Sequence, residues 1–300
     1  MKTEEFKKIA YPETYVNEKK LHDIFTYMRN KYPVTWVEPN QYRPFWAITK
    51  HSDIIEIEKQ NDIFINDPRT TLMDIPTEEA IREFTGGSHL LVRTLVHMDN
   101  PDHQTYRALT QKWFSPPNLE TLKKDIRHIA QEYVEKMVDL GGECDFAKDV
   151  AIFYPLRIIM SILGVPKKDE TRMLRLTQEL FGGGDEDMIR DVEESSPQSN
   201  TITDFFEYFN NLTEERRKNP TNDVASVIAN ATINNEPLGH LEAMSYYTII
   251  ATAGHDTTSS STAGGILAMI QNPDQFLKLK KNPSLMLSLI HISEPTRQHH

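Results

Sequence analysis

The sequence is short of cysteine. Its 300 residues contain one, Cys144. That excludes a disulfide within the chain and any zinc or iron–sulfur site built from several cysteines. Long apolar runs are missing too. The most apolar stretch, residues 156–165, is too short and too interrupted to cross a bilayer. The N-terminus, MKTEEFKKIAYPE, lacks the apolar region of a secretory signal. A reducing, cytoplasmic setting without a membrane partner is therefore expected. Positive charge is scarce: 33 Lys and Arg stand against 44 Asp and Glu, a formal charge of −11. No basic stripe suits a nucleic acid, so none is expected as partner. Also missing are a glycine-rich phosphate loop followed by Lys-Ser/Thr, a G-x-G-x-x-G turn, an H-E-x-x-H zinc helix and a nucleophile elbow.

What is present suits a folded, mainly α chain. Hydrophobic residues make up 38%, with 13 Phe, 11 Tyr and 3 Trp, enough for a sizeable core at this length. The first thirty residues read as amphipathic helix ending at Pro33. Two β-branched and aromatic runs follow, Val34–Glu38 and Phe45–Thr49. The turn-rich PNQYRP between them predicts a hairpin. Ser52 is expected to cap a short helix to about Gln60, and residues 61–94 read as irregular or short-helical. Asn100-Pro101-Asp102 has the signature of a helix start: cap, proline in the first turn, acid at the positive dipole end.

Beyond that point helices dominate. Pro116-Pro117 opens one whose apolar residues recur every three or four positions from Leu119 to Leu140, up to Gly141-Gly142. Others are expected over about 150–163, closed by Gly164 and Pro166, from there to Phe181, and over 201–218. Gly182–Gly184 reads as a helix stop and the acidic run 185–200 as a surface loop. After a break at Pro220–Asp223, one long helix is expected from Leu238 to about Gln271.

That last helix contains the most informative segment. Ala251–Gly265, ATAGHDTTSSSTAGG, holds three Ala, four Thr, three Ser, three Gly, one His and one Asp. Glycine costs a helix about 1 kcal/mol against alanine, and Ser/Thr hydroxyls compete for backbone groups. A helix that tolerates this composition can be fitting something large against a small-residue face. It can equally be locally weak, or two helices joined by a linker. Asp256 followed by Thr257 offers a carboxylate beside a hydroxyl, as proton delivery needs. His255 beside Asp256 is a poor metal pair, because neighbours on a helix point in different directions and no second histidine motif exists.

The order of residues gives the segment a family. Ala253-Gly254-His255-Asp256-Thr257-Thr258 resembles the oxygen-binding signature in the central long helix of cytochromes P-450. Met98-Asp99-Asn100-Pro101-Asp102-His103, with Arg107 four residues on, is similar to that family's M-D-x-P-x-H-x-x-x-R helix start. Taken without the resemblance, His103 and Arg107 are an i, i+4 basic pair on one helix face, which can simply be exposed or can hold a pair of carboxylates. Residues 113–117 (WFSPP), 142–146 (GECDF), 154–156 (YPL) and 163–166 (LGVP) resemble a soluble bacterial, α-terpineol-oxidising branch of the family.

The resemblance implies a mainly α cytochrome P-450 fold, a helical bundle around a long central helix with a small N-terminal β-hairpin. It implies haem b as cofactor, O2 and a small apolar, terpenoid-like substrate, and a ferredoxin-type redox partner. It assigns proton handling to Asp256 and Thr257, haem accommodation to Ala253 and Gly254, and the haem propionates to His103 and Arg107. Arg107 and Lys112 lie near where the family places its partner-docking face. The family's thiolate iron ligand lies in a Gly- and Phe-containing loop near the C-terminus. No such loop occurs in this sequence. Cys144 matches a non-ligand position of the branch, so no metal ligand is assigned.

Leu287–Arg297, LSLIHISEPTR, looks like a sequencing adapter translated in frame. Residues 1–286 are expected to be the N-terminal part of one P-450 domain and 287–300 a non-native tail. Without the thiolate loop the chain is expected to be inactive by itself. Two other readings keep the helical core: a truncated, non-catalytic small-molecule-binding protein, and a haem protein with a different axial ligand.

Overall fold

The computed structural model describes residues 2–181 and 201–288. Gly182–Gly184, the acidic run 185–200 and the tail beyond Ser288 lie outside the described residues. Residue contacts divide the chain into a unit through Gln104 and one from Thr105 onward.

In the first unit the expected N-terminal helix is three pieces: α1, Lys2–Lys7; α2, Pro12–Tyr15; and α3, Glu18–Lys31. Pro12 opens α2, and the Asn17 side chain caps α3 by accepting the Lys20 N–H at 3.0 Å. The hairpin forms as predicted: β1, Val34–Val37, pairs antiparallel with β2, Phe45–Ile48, with Trp36 opposite Trp46. Alternation puts Val37 and Ala47 into a core with Phe6, Ile9, Ile24 and Met28, while the Trp36–Trp46 pair faces outward.

Helix α4, His51–Glu58, begins a residue before Ser52, which therefore lies inside the helix and bonds Asp53 instead of capping it. Residues 61–94 hold a true helix, α5, Ile75–Thr85. Asp74 caps it by accepting from Thr77 N–H at 2.9 Å, Pro76 sits in the first turn, and Gly86 closes it at φ 71°.

Helix α6, Asp102–Gln111, spans the boundary. The second unit continues with α7, Pro116–Asp139; a π-turn, Ala147–Ala151; α8, Phe153–Leu163; α9, Glu170–Phe181; α10, Thr201–Lys218; and α11, Val224–Ala229. A two-residue hairpin follows, β3, Thr232–Ile233, with β4, Glu236–Pro237, turning through Asn234 and Asn235, both at positive φ. Leu156, Met160, Leu163, Met173, Leu176, Phe205 and Phe209 are among its fully buried side chains.

The helix expected to run unbroken from Leu238 to Gln271 is two: α12, His240–Ala253, and α13, Asp256–Gln271. The interruption falls at Gly254-His255, before the Ser/Thr run and not within it. Helix α14, Pro273–Lys281, and a 3-10 turn, Pro283–Ser288, complete the described helices.

Candidate functional site

The break between α12 and α13 gathers four of the residues singled out by sequence. Ala253 ends α12 and is exposed; Gly254 is half-buried; Asp256 and Thr257 open α13 and are exposed. Gly254 has a packing reason of its own. A Cβ there would lie 2.5 Å from Ile159 Cδ1 and 3.1 Å from its Cγ1. The glycine thus lets α12 approach α8, whatever else its smallness accommodates. The Thr257 hydroxyl donates to the Ala253 carbonyl at 3.1 Å. Its proton is committed across the break, and its lone pairs stay open to accept.

His255 is the residue the sequence reading undervalued. It is 1% exposed, and its Nε2 lies 2.8 Å from the Ile152 carbonyl, at the junction of the π-turn and α8. Its Nδ1 lies 3.3 Å from Asp256 Oδ1. No group of three or more metal-ligating side chains occurs among the described residues.

His103 and Arg107 lie one turn apart on α6, as the spacing requires. His103 is half-buried and Arg107 exposed. His103 lines an open cavity of about 360 Å³ with Asn61, Asn66, Leu95, Val96 and Asp99. Asp99 is spent on the loop before it, accepting from the Asp67 and Asn66 N–H groups, which hold its carboxyl below the usual range. In the second unit the Tyr246 hydroxyl on α12 donates to the Tyr106 carbonyl on α6, so the helix bearing Arg107 is tied to the helix ending at Ala253.

Over residues 70–95 the sequence pattern offered little, yet a buried carboxylate organises them. Glu78, on α5, is 4% exposed. It takes Arg43 Nε at 2.7 Å and Arg69 Nη2 at 2.6 Å, with His89 Nδ1 at 3.0 Å. The Arg69 guanidinium, helped by Arg43, holds its carboxyl down at about 2. Asp74, Pro76 and Glu78 carry a cap, proline and acid signal for the start of α5, but nothing local pairs Glu78 with Arg43.

The pattern of the family described as Cytochrome P450 matches residues 11–284. The chain belongs to the cytochrome P450 family. It is 37% identical to Cytochrome P450-terp of a Pseudomonas species over 290 residues, covering 94% of this chain and 68% of that protein. It is 28% identical to Linalool 8-monooxygenase of Pseudomonas putida, covering 88% and 64%. The crystal structure of CYP108D1 from Novosphingobium aromaticivorans superposes with a TM-score of 0.83 at 40% identity, covering 94% of this chain and 67% of that one. The chain spans about two thirds of the length of these P450s.

Cys144 is exposed in the segment after α7. The other residues fit a haem: two nitrogen donors, His103 and Arg107, one turn apart on α6 without an ion pair among the described residues, and a small-residue helix end. No helix among the described residues is long and apolar enough to cross a membrane.

Proposed function

We propose that this chain is part of a haem-dependent monooxygenase that hydroxylates a small apolar, terpenoid-like substrate. It would use O2 and two electrons from a ferredoxin-type partner in the cytoplasm. The observation that carries the reading is the helix break at Gly254-His255, which sets Asp256 and Thr257 side by side where the P450 oxygen signature falls. Haem, when bound, supplies oxygen activation and electron storage.

The chain's own residues do the rest. His103 and Arg107 hold the propionates through charge-assisted hydrogen bonds. Ala253 and Gly254 keep the helix end free of bulk. Thr257, its proton given to the Ala253 carbonyl, accepts a hydrogen bond and holds a water or reactant oxygen in place. Asp256 connects that oxygen to bulk solvent. Exposed Arg107 and Lys112 offer charge to an acidic partner. The sole cysteine, Cys144, is no candidate for iron ligand, so the 300-residue chain is expected not to turn over by itself. Linalool 8-monooxygenase acts on linalool, and a pocket lined by apolar groups discriminates one methylene by only about 1–3 kcal/mol. The substrate class is therefore carried further than any single substrate.

The first experiment is long-read sequencing of the source DNA across codon 286. Continuation into a Glu-x-x-Arg helix and a cysteine-containing loop supports the reading. In the longer protein, Thr257→Ala is then expected to consume electrons without matching product and to release peroxide; unchanged coupling removes Thr257 from the proton path. A stop within a few codons sinks the enzymatic reading and leaves the haem-free small-molecule binder.

A further inference from the structure

We propose that Arg43, Arg69 and Thr70 form a binding site for a small monovalent anion of halide size, which completes the attachment of residues 68–73 to α5. The site lies wholly within the first unit and is independent of the haem reading.

Charge does not balance at this cluster. Arg43 and Arg69 bring two positive charges to the single buried carboxylate of Glu78. Glu78 is ionised at neutral pH, its carboxyl held at about 2, so one positive charge is left over. Neighbouring acids do not cancel it at contact. Glu79 acts on Arg43 through space, without an ion pair, and Asp74 is spent on the Thr77 N–H and hydroxyl at 2.9 and 2.8 Å.

Hydrogen-bond donors are in surplus as well. A guanidinium carries five N–H groups and no acceptor. Arg43 donates through Nε to Glu78 Oε2 at 2.7 Å, and Arg69 through Nε and Nη2 to Oε1 at 3.2 and 2.6 Å. Both carboxylate oxygens are thereby engaged. Neither arginine has another hydrogen bond or ion pair among the described residues, and the remaining N–H groups exceed the acceptors at hand.

Beside the cluster lies a cavity of about 50 Å³, lined by Arg43, Arg69, Thr70, Thr71, Glu78 and His89 among others. Two polar atoms of these residues are buried and make no hydrogen bond among the described residues: Thr70 Oγ1, and His89 Nδ1, which lies near Glu78 without bonding it. Buried orphaned polar atoms mark the place of a water or an ion. The volume suits one or two particles of water size, each taking roughly 30 Å³ in the liquid. A water must place two hydrogens of its own, and the carboxylate there is already taken. An anion needs donors alone, which is what guanidinium and hydroxyl groups offer. The same volume excludes a nucleotide or a sugar phosphate.

The test measures the chlorine NMR linewidth of sodium chloride with the 300-residue chain present; exchange with a protein-held site broadens the line. The wild type is expected to broaden it, and sodium bromide to reverse the broadening by competition. Thr70→Val, which removes the hydroxyl at similar volume, is expected to weaken chloride binding about tenfold, as the loss of one hydrogen bond to a charged partner does. Arg69→Gln, which removes the surplus charge, is expected to abolish the excess linewidth. Lys59→Ala, at an exposed cation outside the cavity lining, is expected to leave it unchanged. Circular dichroism checks that each variant is folded, and Thr70→Val carries the test if Arg69→Gln is not. No excess broadening in the wild type overturns the proposal. So does equal broadening in wild type and Thr70→Val, or a loss in Lys59→Ala as large as in Thr70→Val, either of which means an adventitious ion only.

Discussion

Replacing Glu78 by Gln tests how the segment around α5 is held. The amide is nearly isosteric but uncharged, so Arg43 and Arg69 lose their shared acceptor charge. The carboxyl sits at about 2 against a usual 4.5. Holding the carboxyl at about 2 instead of 4.5, at about 1.36 kcal/mol per tenfold in proton affinity, gives an upper bound near 3.4 kcal/mol. Both arginine side chains are 42% exposed, and water screens them, so about 1–2 kcal/mol is expected at pH 7.

The pH dependence has a definite sign. The carboxyl is depressed in the folded chain, so its contribution is complete above about pH 4.5 and is lost as pH falls through about 2. More than half is gone by pH 3. Urea denaturation of wild type and Glu78→Gln from pH 7 to pH 3 reads this as a stability gap that closes on acidification. The 70–90 backbone should also show faster amide exchange in the variant at pH 7. A gap that stays constant down to pH 3 would refute the assignment of the stabilisation to ionised Glu78, and no gap at pH 7 would refute the clamp.

Other outcomes follow from the same geometry. Gly254→Ala sets a methyl 2.5 Å from Ile159 Cδ1 and is expected to cost about 1–2 kcal/mol; Ile159→Val should recover part of that in a double-mutant cycle, and strict additivity would count against the contact. Asp223→Ala removes the acceptor of Arg216 Nε at 2.7 Å and the cap on Ser226 N–H; leaving the buried arginine with the Gly164 carbonyl and Glu215 should cost about 3 kcal/mol in denaturant unfolding, with a small loss counting against it. Gly164→Ala meets both a φ of 69° and Asp223 Oδ2 at 2.0 Å from the new Cβ, so little or no folded protein is expected by circular dichroism.

How much of this was legible in the sequence depends on where the deciding atoms lie. Helix ends set by local chemistry read correctly at Pro116-Pro117, at Gly164 after α8 and at the stop before Pro220; at Asn100-Pro101-Asp102 a helix does begin, but Asp102 is its first residue, so Pro101 precedes the first turn instead of sitting in it. The α5 start at Asp74 and the Asn234-Asn235 turn carried equally local signals and were passed over among polar residues. The Ser52 cap failed because a serine near a helix start is compatible with several registers, and here Lys50 takes the cap. The Glu78 cluster was out of reach in principle, since Arg43 lies 35 residues away and only the folded hairpin delivers it.

The break at Gly254-His255 shows the limit most clearly. Apolar residues on both sides support one helix, and composition alone placed any weakness in the Ser/Thr run. Those serines and threonines lie in helix all the same, with Thr257 and Thr262 bonding back four residues. The contacts at the break are distant in sequence: Ile159 packs where a side chain at 254 would lie, and the Ile152 carbonyl accepts from His255 Nε2. The residue types were legible and their spacing named the family. The direction in which His255 turns follows a carbonyl at the end of a π-turn a hundred residues earlier.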